Sequence, residues 1–123
     1  MFHFRDQDYR CSSEIILRLV GGKWKLAILY ALSQKSLRYH ELQKWLPDVT
    51  QRMLTMQLRE LESDELVVRK VYPVVPPKVE YSLSELGLQM VPLLNALCDF
   101  GTLYMESPLR NRSETQTSSV QYQ

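Results

Sequence analysis

The chain has 123 residues, 45% of them hydrophobic, and a formal net charge of +1 from 15 Lys and Arg against 14 Asp and Glu. That length suits one domain, with room for an oligomerisation arm, rather than two independent cores, and the composition is globular rather than disordered or fibrous. No stretch approaches the ~18 uninterrupted apolar residues of a membrane span, and charge stands near the N-terminus where a signal peptide needs its apolar segment, so a cytoplasmic chain with no membrane partner is expected.

Residues 1–11 read as a polar-aromatic arm. Ser12 or Ser13 can cap a short first helix carrying Ile15, Ile16, Leu19 and Val20, which Gly21-Gly22 stops. A second helix is predicted from about Trp24 to Leu32, with Trp24, Ala27, Ile28, Ala31 and Leu32 on one face. A third, about Tyr39–Leu46, ends where Pro47 cannot continue it.

Thr50 is a good N-cap for a fourth helix running to about Ser63, with Leu54, Leu58 and Leu61 as its buried stripe. Helical periodicity puts Arg52, Thr55, Met56 and Arg59 on the opposite face. Two strands follow, Leu66–Tyr72 and Lys78–Leu83, joined by Pro73-Val74-Val75-Pro76-Pro77, a proline-rich tip that cannot lie in a central strand.

A last, long helix starts after Ser84. Its Leu86, Met90, Leu93, Leu97, Phe100 and Tyr104 follow alternating 4-3 steps, a heptad-like seam. A second row, Val91, Leu94, Cys98 and Met105, widens the apolar face, so that one row covers the core and the other faces a partner. Cys98 in that row reads as packing. Pro92 predicts a kink or break near Met90. From about Glu106 the chain is polar and reads as a disordered tail, 106–123. The whole is expected to be α+β, mainly α, with residues 12–105 forming the domain.

Charge is segregated along this order. Residues 18–59 hold eight basic and two acidic side chains, a net of +6, and the remainder holds seven basic and twelve acidic, a net of −5. The acidic run Glu60–Glu65 reads as a solvated helix end. A near-neutral total therefore hides a basic face, the electrostatic footprint of nucleic-acid binding.

Enzyme chemistry finds no support. Two histidines and two cysteines without CxxC or HxxxH pairing make no zinc site, and Gly21-Gly22-Lys23 lacks the spacing of a phosphate-binding loop. No metal, cofactor or catalytic residue is expected. Helix, turn, helix and proline-tipped hairpin is instead the order of a winged helix-turn-helix, whose second helix enters the major groove of duplex DNA. Arg52 and Arg59 can give paired donors to guanine, Gln51 can pair with adenine, and Thr55 can meet a thymine methyl. Thr50 and Met56 complete the candidate base-reading set. Lys23, Lys25, Arg38, Arg69, Lys70 and Lys78 are the candidate phosphate and wing contacts.

Cys11, Gly21-Gly22-Lys23-Trp24-Lys25, Leu37-Arg38-Tyr39-His40-Glu41-Leu42, the run from Thr50 to Glu62 and the run from Val71 to Leu83 resemble, in that order, the HxlR-type regulators, bacterial winged-helix transcription factors related to the MarR type. The resemblance covers about residues 11–104. It implies a homodimer built from the first and last helices, with Ile15 and Ile16 joining Leu93, Leu97, Phe100 and Tyr104, on a pseudo-palindromic operator, with repression as the expected outcome. It also implies that Cys11 occupies a position at which some members sense oxidants or electrophiles. A helix N-terminus stabilises thiolate, which gives a physical reason; a small buried interface residue is the other reading. An effector that is a small molecule rather than an oxidant, and a winged-helix module that binds protein rather than DNA, stay open as alternatives. The family's usual Asp-Gly-Leu after the fourth helix is Asp64-Glu65-Leu66 here, so a different helix end and a tilted wing are expected.

Overall fold

A computed structural model describes residues 1–110. It falls into two units, Met1–Val91 and a second that begins at Pro92. In the first unit the elements are β1 (Phe2–Phe4), β2 (Gln7–Tyr9), α1 (Ser12–Val20), α2 (Lys25–Gln34), β3 (Leu37–Arg38), α3 (Tyr39–Trp45), α4 (Gln51–Ser63), β4 (Val67–Tyr72), β5 (Lys78–Leu83) and α5 (Glu85–Leu88); α6 (Val91–Glu106) belongs, from its second residue on, to the second. This is the expected winged helix-turn-helix: α3 and α4 are the helix pair and β4–β5 the wing.

Residues 1–11 are more ordered than an arm. β1 and β2 pair antiparallel with Phe4 opposite Gln7, leaving Arg5 and Asp6 as a two-residue turn. Arg5 takes a positive φ of 57° there. Neither turn residue is Gly or Asn, so the usual hairpin signal is missing from the sequence. Tyr9 is buried, and its hydroxyl accepts a 2.7 Å hydrogen bond from Arg18 of α1.

Ile28, Ala31 and Leu32 of α2 and Leu54, Leu58 and Leu61 of α4 are buried where periodicity placed them, whereas Trp24 and Ala27 are half-buried and Leu29, which periodicity did not single out, is in the core. Ile28 and Leu29 of α2, Leu37 of β3, Leu42 of α3, and Leu54, Leu58 and Leu61 of α4 have their side chains fully buried. Each such side chain contributes about 1.5–3 kcal/mol from removal of apolar surface from water. Val49 is also buried, and the Thr50 hydroxyl oxygen accepts the Met53 N–H at 3.1 Å, so the turn between α3 and α4 is held by one apolar anchor and one cap. β5 lies at the centre of a three-stranded sheet of order β3-β5-β4. β3, two residues long, is a strand that the sequence did not signal, as β1 and β2 are.

Helix α4 ends as a glycine would end it, although Glu65 stands there. The Leu66 N–H bonds the Leu61 carbonyl and the Glu65 N–H bonds the Glu62 carbonyl, both at 3.0 Å, the paired bonds of a Schellman cap. Glu65 has φ 65°, so the expected departure in helix end does not occur and the glutamate bears the strain instead. Ser84 holds the cap from the far side: its hydroxyl donates to the Glu65 carbonyl at 2.6 Å and its N–H to the Leu66 carbonyl at 3.0 Å. Gly87 then approaches so closely that a Cβ there would lie 2.2 Å from the Leu66 carbonyl oxygen. Replacing Glu65 by Gly is expected to stabilise the fold by about 1 kcal/mol by removing the left-handed penalty. The readout is a higher denaturant midpoint at unchanged slope; an unchanged midpoint would mean that the Glu65 side chain stabilises this end by as much as it strains it.

The break expected near Met90 is present, since Gln89 and Met90 form a turn between α5 and α6. On α6, Leu94 is buried, whereas Leu93, Leu97, Phe100, Leu103 and Tyr104 are all exposed. Cys98, expected to pack, is exposed as well. The run Glu85–Glu106 has the length and mean hydropathy (1.2) of a membrane-crossing segment. Asn95, Asp99, Thr102 and Glu106 nevertheless recur at 4-3-4 spacing along one side of it, the pattern of an amphipathic helix that covers a protein surface rather than of one surrounded by lipid. Helix α6 extends to Glu106, where the tail was expected to begin; the rest of that tail, from residue 111, lies outside the described residues.

Candidate nucleic-acid interface

Helix α4 turns Leu54, Leu58 and Leu61 inward, and the 3.6-residue period then fixes what points outward. Gln51, Arg52, Thr55, Met56 and Arg59 line one open groove, together with Tyr39, Glu60 and Ser63. Thr50 lies at its head as the N-cap. The groove continues past Tyr39, Thr55 and Arg59 to Arg69 and Tyr81, so the outer face of α4 and the wing form one surface.

Tyr39 was not among the residues that the sequence singled out. It opens α3, and its hydroxyl donates to the Gln51 carbonyl at 2.8 Å and lies 3.0 Å from the Thr55 hydroxyl oxygen. Nothing local marks its hydrogen-bonding role, because its partners are 12 and 16 residues away.

The wing divides its cations between two faces. Register places Arg69 opposite Tyr81 and Lys70 opposite Glu80, and successive residues of a strand point to opposite sides. Arg69 and Tyr81 therefore face the groove. On the other face the Lys70 and Lys78 ammonium groups sit 4.8 and 5.0 Å from the centre of the Tyr72 ring. Lys78 also pairs with Glu80 at 3.7 Å, and the Tyr72 hydroxyl donates to Glu80 at 3.3 Å.

The other expected phosphate contacts separate. Lys23 is exposed, with its ammonium 4.7 Å from the centre of the Trp24 ring. Arg38 is exposed at the N-cap of α3, where its backbone N–H donates to the Glu41 carboxylate at 2.8 Å and, as the main cause, holds that carboxyl below the ordinary range. Lys25 is different. It is buried, and its ammonium is 2.7 Å from Glu60 of α4, so it is a tertiary ion pair and leaves the candidate phosphate set. Asp64, the C-cap of α4, pairs with Arg5 of the hairpin turn. Two members of the acidic run thus tie α4 to α2 and to the hairpin, whereas Glu62 and Glu65 stay exposed.

Cys11 is itself the N-cap of α1, a position the sequence had given to Ser12 or Ser13. Its N–H donates to Glu14 at 3.1 Å, and its sulfur lies 3.0 Å from the Ser13 hydroxyl. The Ser13 hydroxyl, and then the Ser13 backbone, lower the pKa of this exposed thiol against the opposing charge of Glu14. Of the residues expected at a dimer contact, Ile15 and Ile16 of α1 are half-buried and Leu93, Leu97, Phe100 and Tyr104 are exposed; Leu17, which was not among them, is exposed at 68%.

A family model described as HxlR-like helix-turn-helix matches residues 19–108. A helix-turn-helix-type transcriptional regulator of Methanothermobacter thermautotrophicus is 50% identical over 99 residues, 80% of this chain and 76% of its own. The regulator YtcD of Bacillus subtilis is 50% identical over 112 residues, 91% of this chain and 85% of its own. Among solved structures, the redox regulator HypR in its oxidized form superposes with a TM-score of 0.71 at 46% identity, covering 75% of this chain and 95% of that one.

Proposed function

The chain belongs to the HxlR-like helix-turn-helix family, and from that membership we propose that it is a transcriptional regulator that binds duplex DNA as a homodimer and responds to oxidants or electrophiles through Cys11. The observation that carries the reading is the single groove in which Gln51, Arg52, Thr55, Met56 and Arg59 stand together, continuous with Arg69 of the wing. Such a surface offers donors to guanine from Arg52 and Arg59, a side-chain amide for adenine from Gln51, and apolar contact from Thr55 and Met56. Lys23, Arg38 and Arg69 supply the charge for the backbone, with Lys70 and Lys78 on the outer side of the wing. The exposed row Leu93, Leu97, Phe100 and Tyr104 supports self-association, because an apolar stripe of that length is unfavourable in water. Two copies then present two α4 helices to two half-sites.

Selection of bound duplexes from a random pool tests this directly. A recovered motif with two-fold symmetry is the expected result; recovery of no motif, with no binding even at low salt, would leave the groove without this role.

Cys11 supports the oxidant response by its position and its chemistry. A thiol with a lowered pKa is more largely thiolate at neutral pH, and thiolate is the reacting form. Cys11 follows β2 after a single residue, and the turn of that hairpin is tied to α4 through Arg5 and Asp64, which gives the thiol a route to the DNA-facing helix. Ser13→Ala is expected to move the pKa back up and so to slow alkylation of Cys11 by iodoacetamide at pH 7. The measured pH profile should shift toward higher pH without losing its plateau; an unshifted profile would remove Ser13 from the activation of this thiol. Diamide should change operator affinity in the wild type and leave Cys11→Ser unaffected.

A further inference from the structure

Thr55 carries two different groups on its Cβ, a hydroxyl that can donate or accept and a methyl that can do neither. In a helix its χ1 is divided between rotamers, because the hydroxyl has backbone partners of its own. The side chain therefore reads a base unambiguously only if something fixes it. Tyr39 is placed to do so. Its one hydroxyl proton goes to the Gln51 carbonyl, 2.8 Å away. The 3.0 Å contact between Tyr39 and Thr55 must then be made with the Thr55 proton, donated to the Tyr39 oxygen. With that proton committed, Thr55 has no donor left for guanine or for the thymine carbonyl; its oxygen can only accept, and its methyl is free to meet the methyl of thymine.

From this geometry we propose that Tyr39 is a specificity-determining residue: by holding the Thr55 hydroxyl, it makes Thr55 a reader of the thymine methyl and closes that position to guanine. Tyr39 acts through Thr55, as a positioning residue. The inference rests on the DNA-binding reading given above and specifies one base pair within it.

The test uses the full-length protein and the duplex that it selects from the random pool. Each thymine of a half-site is replaced in turn by deoxyuridine, which removes only the 5-methyl group. One position is expected to weaken wild-type binding about fourfold, the worth of a single buried methyl. At that position Thr55→Val, which keeps a methyl and has no hydroxyl, should retain the loss, and Thr55→Ser, which has a hydroxyl and no methyl, should abolish it. Tyr39→Phe frees the Thr55 proton and is expected to relax discrimination against guanine at that position by about tenfold, with preference elsewhere in the site unchanged.

Two results overturn the proposal while DNA binding stands: deoxyuridine without effect at every position in the wild type, or Tyr39→Phe with wild-type preference. The deoxyuridine arm needs no variant, so it holds even if a substitution impairs folding. A wild-type protein that selects no duplex would remove the DNA-binding reading itself and this inference with it.

Discussion

Replacing Leu97 and Phe100 together by glutamate is expected to hold the protein monomeric and to weaken operator binding by about 10²- to 10⁴-fold. Both side chains are exposed, at 48% and 63%, in the chain by itself, so the substitution removes nothing from a protomer's own core. What it removes is the apolar row at 4-3 spacing that a second copy can cover. Two carboxylates at that row would have to be buried unpaired in any dimer, at a cost no remaining apolar contact offsets. The loss in affinity follows from linkage: in a dimer the second half-site is engaged at high effective concentration, and that gain of about 10²–10⁴ disappears in a monomer. Sedimentation gives the mass and titration of a full operator gives the affinity. Leu94→Ala is the control, since Leu94 is buried at 3% exposure; it should lower stability by about 2–5 kcal/mol and leave a dimer at protein concentrations where the fold survives. A dimer retained by the double glutamate variant would move the interface off this row.

Salt should act nearly as strongly. A dimer carrying Lys23, Arg38, Arg69, Lys70 and Lys78 on each protomer offers enough phosphate contacts for affinity to fall by about 10³-fold or more between 50 and 200 mM salt, through counterion release. The slope also separates two basic residues that the sequence placed in one phosphate-contacting set. Lys25 is held by Glu60 at 2.7 Å, so Lys25→Gln is expected to lower stability and leave the salt slope unchanged. Arg38→Gln removes one contact per protomer and should reduce the slope by about 1.8 for the dimer. A reduced slope in Lys25→Gln would mean that DNA draws Lys25 away from its carboxylate.

The fold and the outer face of α4 were legible in the sequence because both are local. The Leu54, Leu58 and Leu61 period, the Thr50 cap, Pro47 and the proline-rich wing tip each lie within a few residues of what they determine. A period of 3.6 fixes the outward residues once the inward ones are known, and the groove brings together Gln51, Arg52, Thr55, Met56 and Arg59 accordingly. The 4-3 seam and the break before α6 are legible for the same reason.

Tertiary structure decided the rest, and each case is a pairing across the chain. Lys25 meets Glu60, 35 residues on, and Arg5 meets Asp64, 59 residues on, so neither the loss of a phosphate contact nor the anchoring of an acidic run has a local signature. Tyr39 reaches Thr55 only after α3 has packed beside α4. Glu65 takes a left-handed conformation that its own backbone preference opposes, because the paired bonds of the helix end and the Ser84 contact outweigh a penalty of about 1 kcal/mol. Sequence by itself determined the outward face of α4, its Thr50 cap and the order of the helices and the wing. Only packing decided which of the charged and polar groups remain free, since a partner distant in the chain is found by the fold and not by the period of a helix.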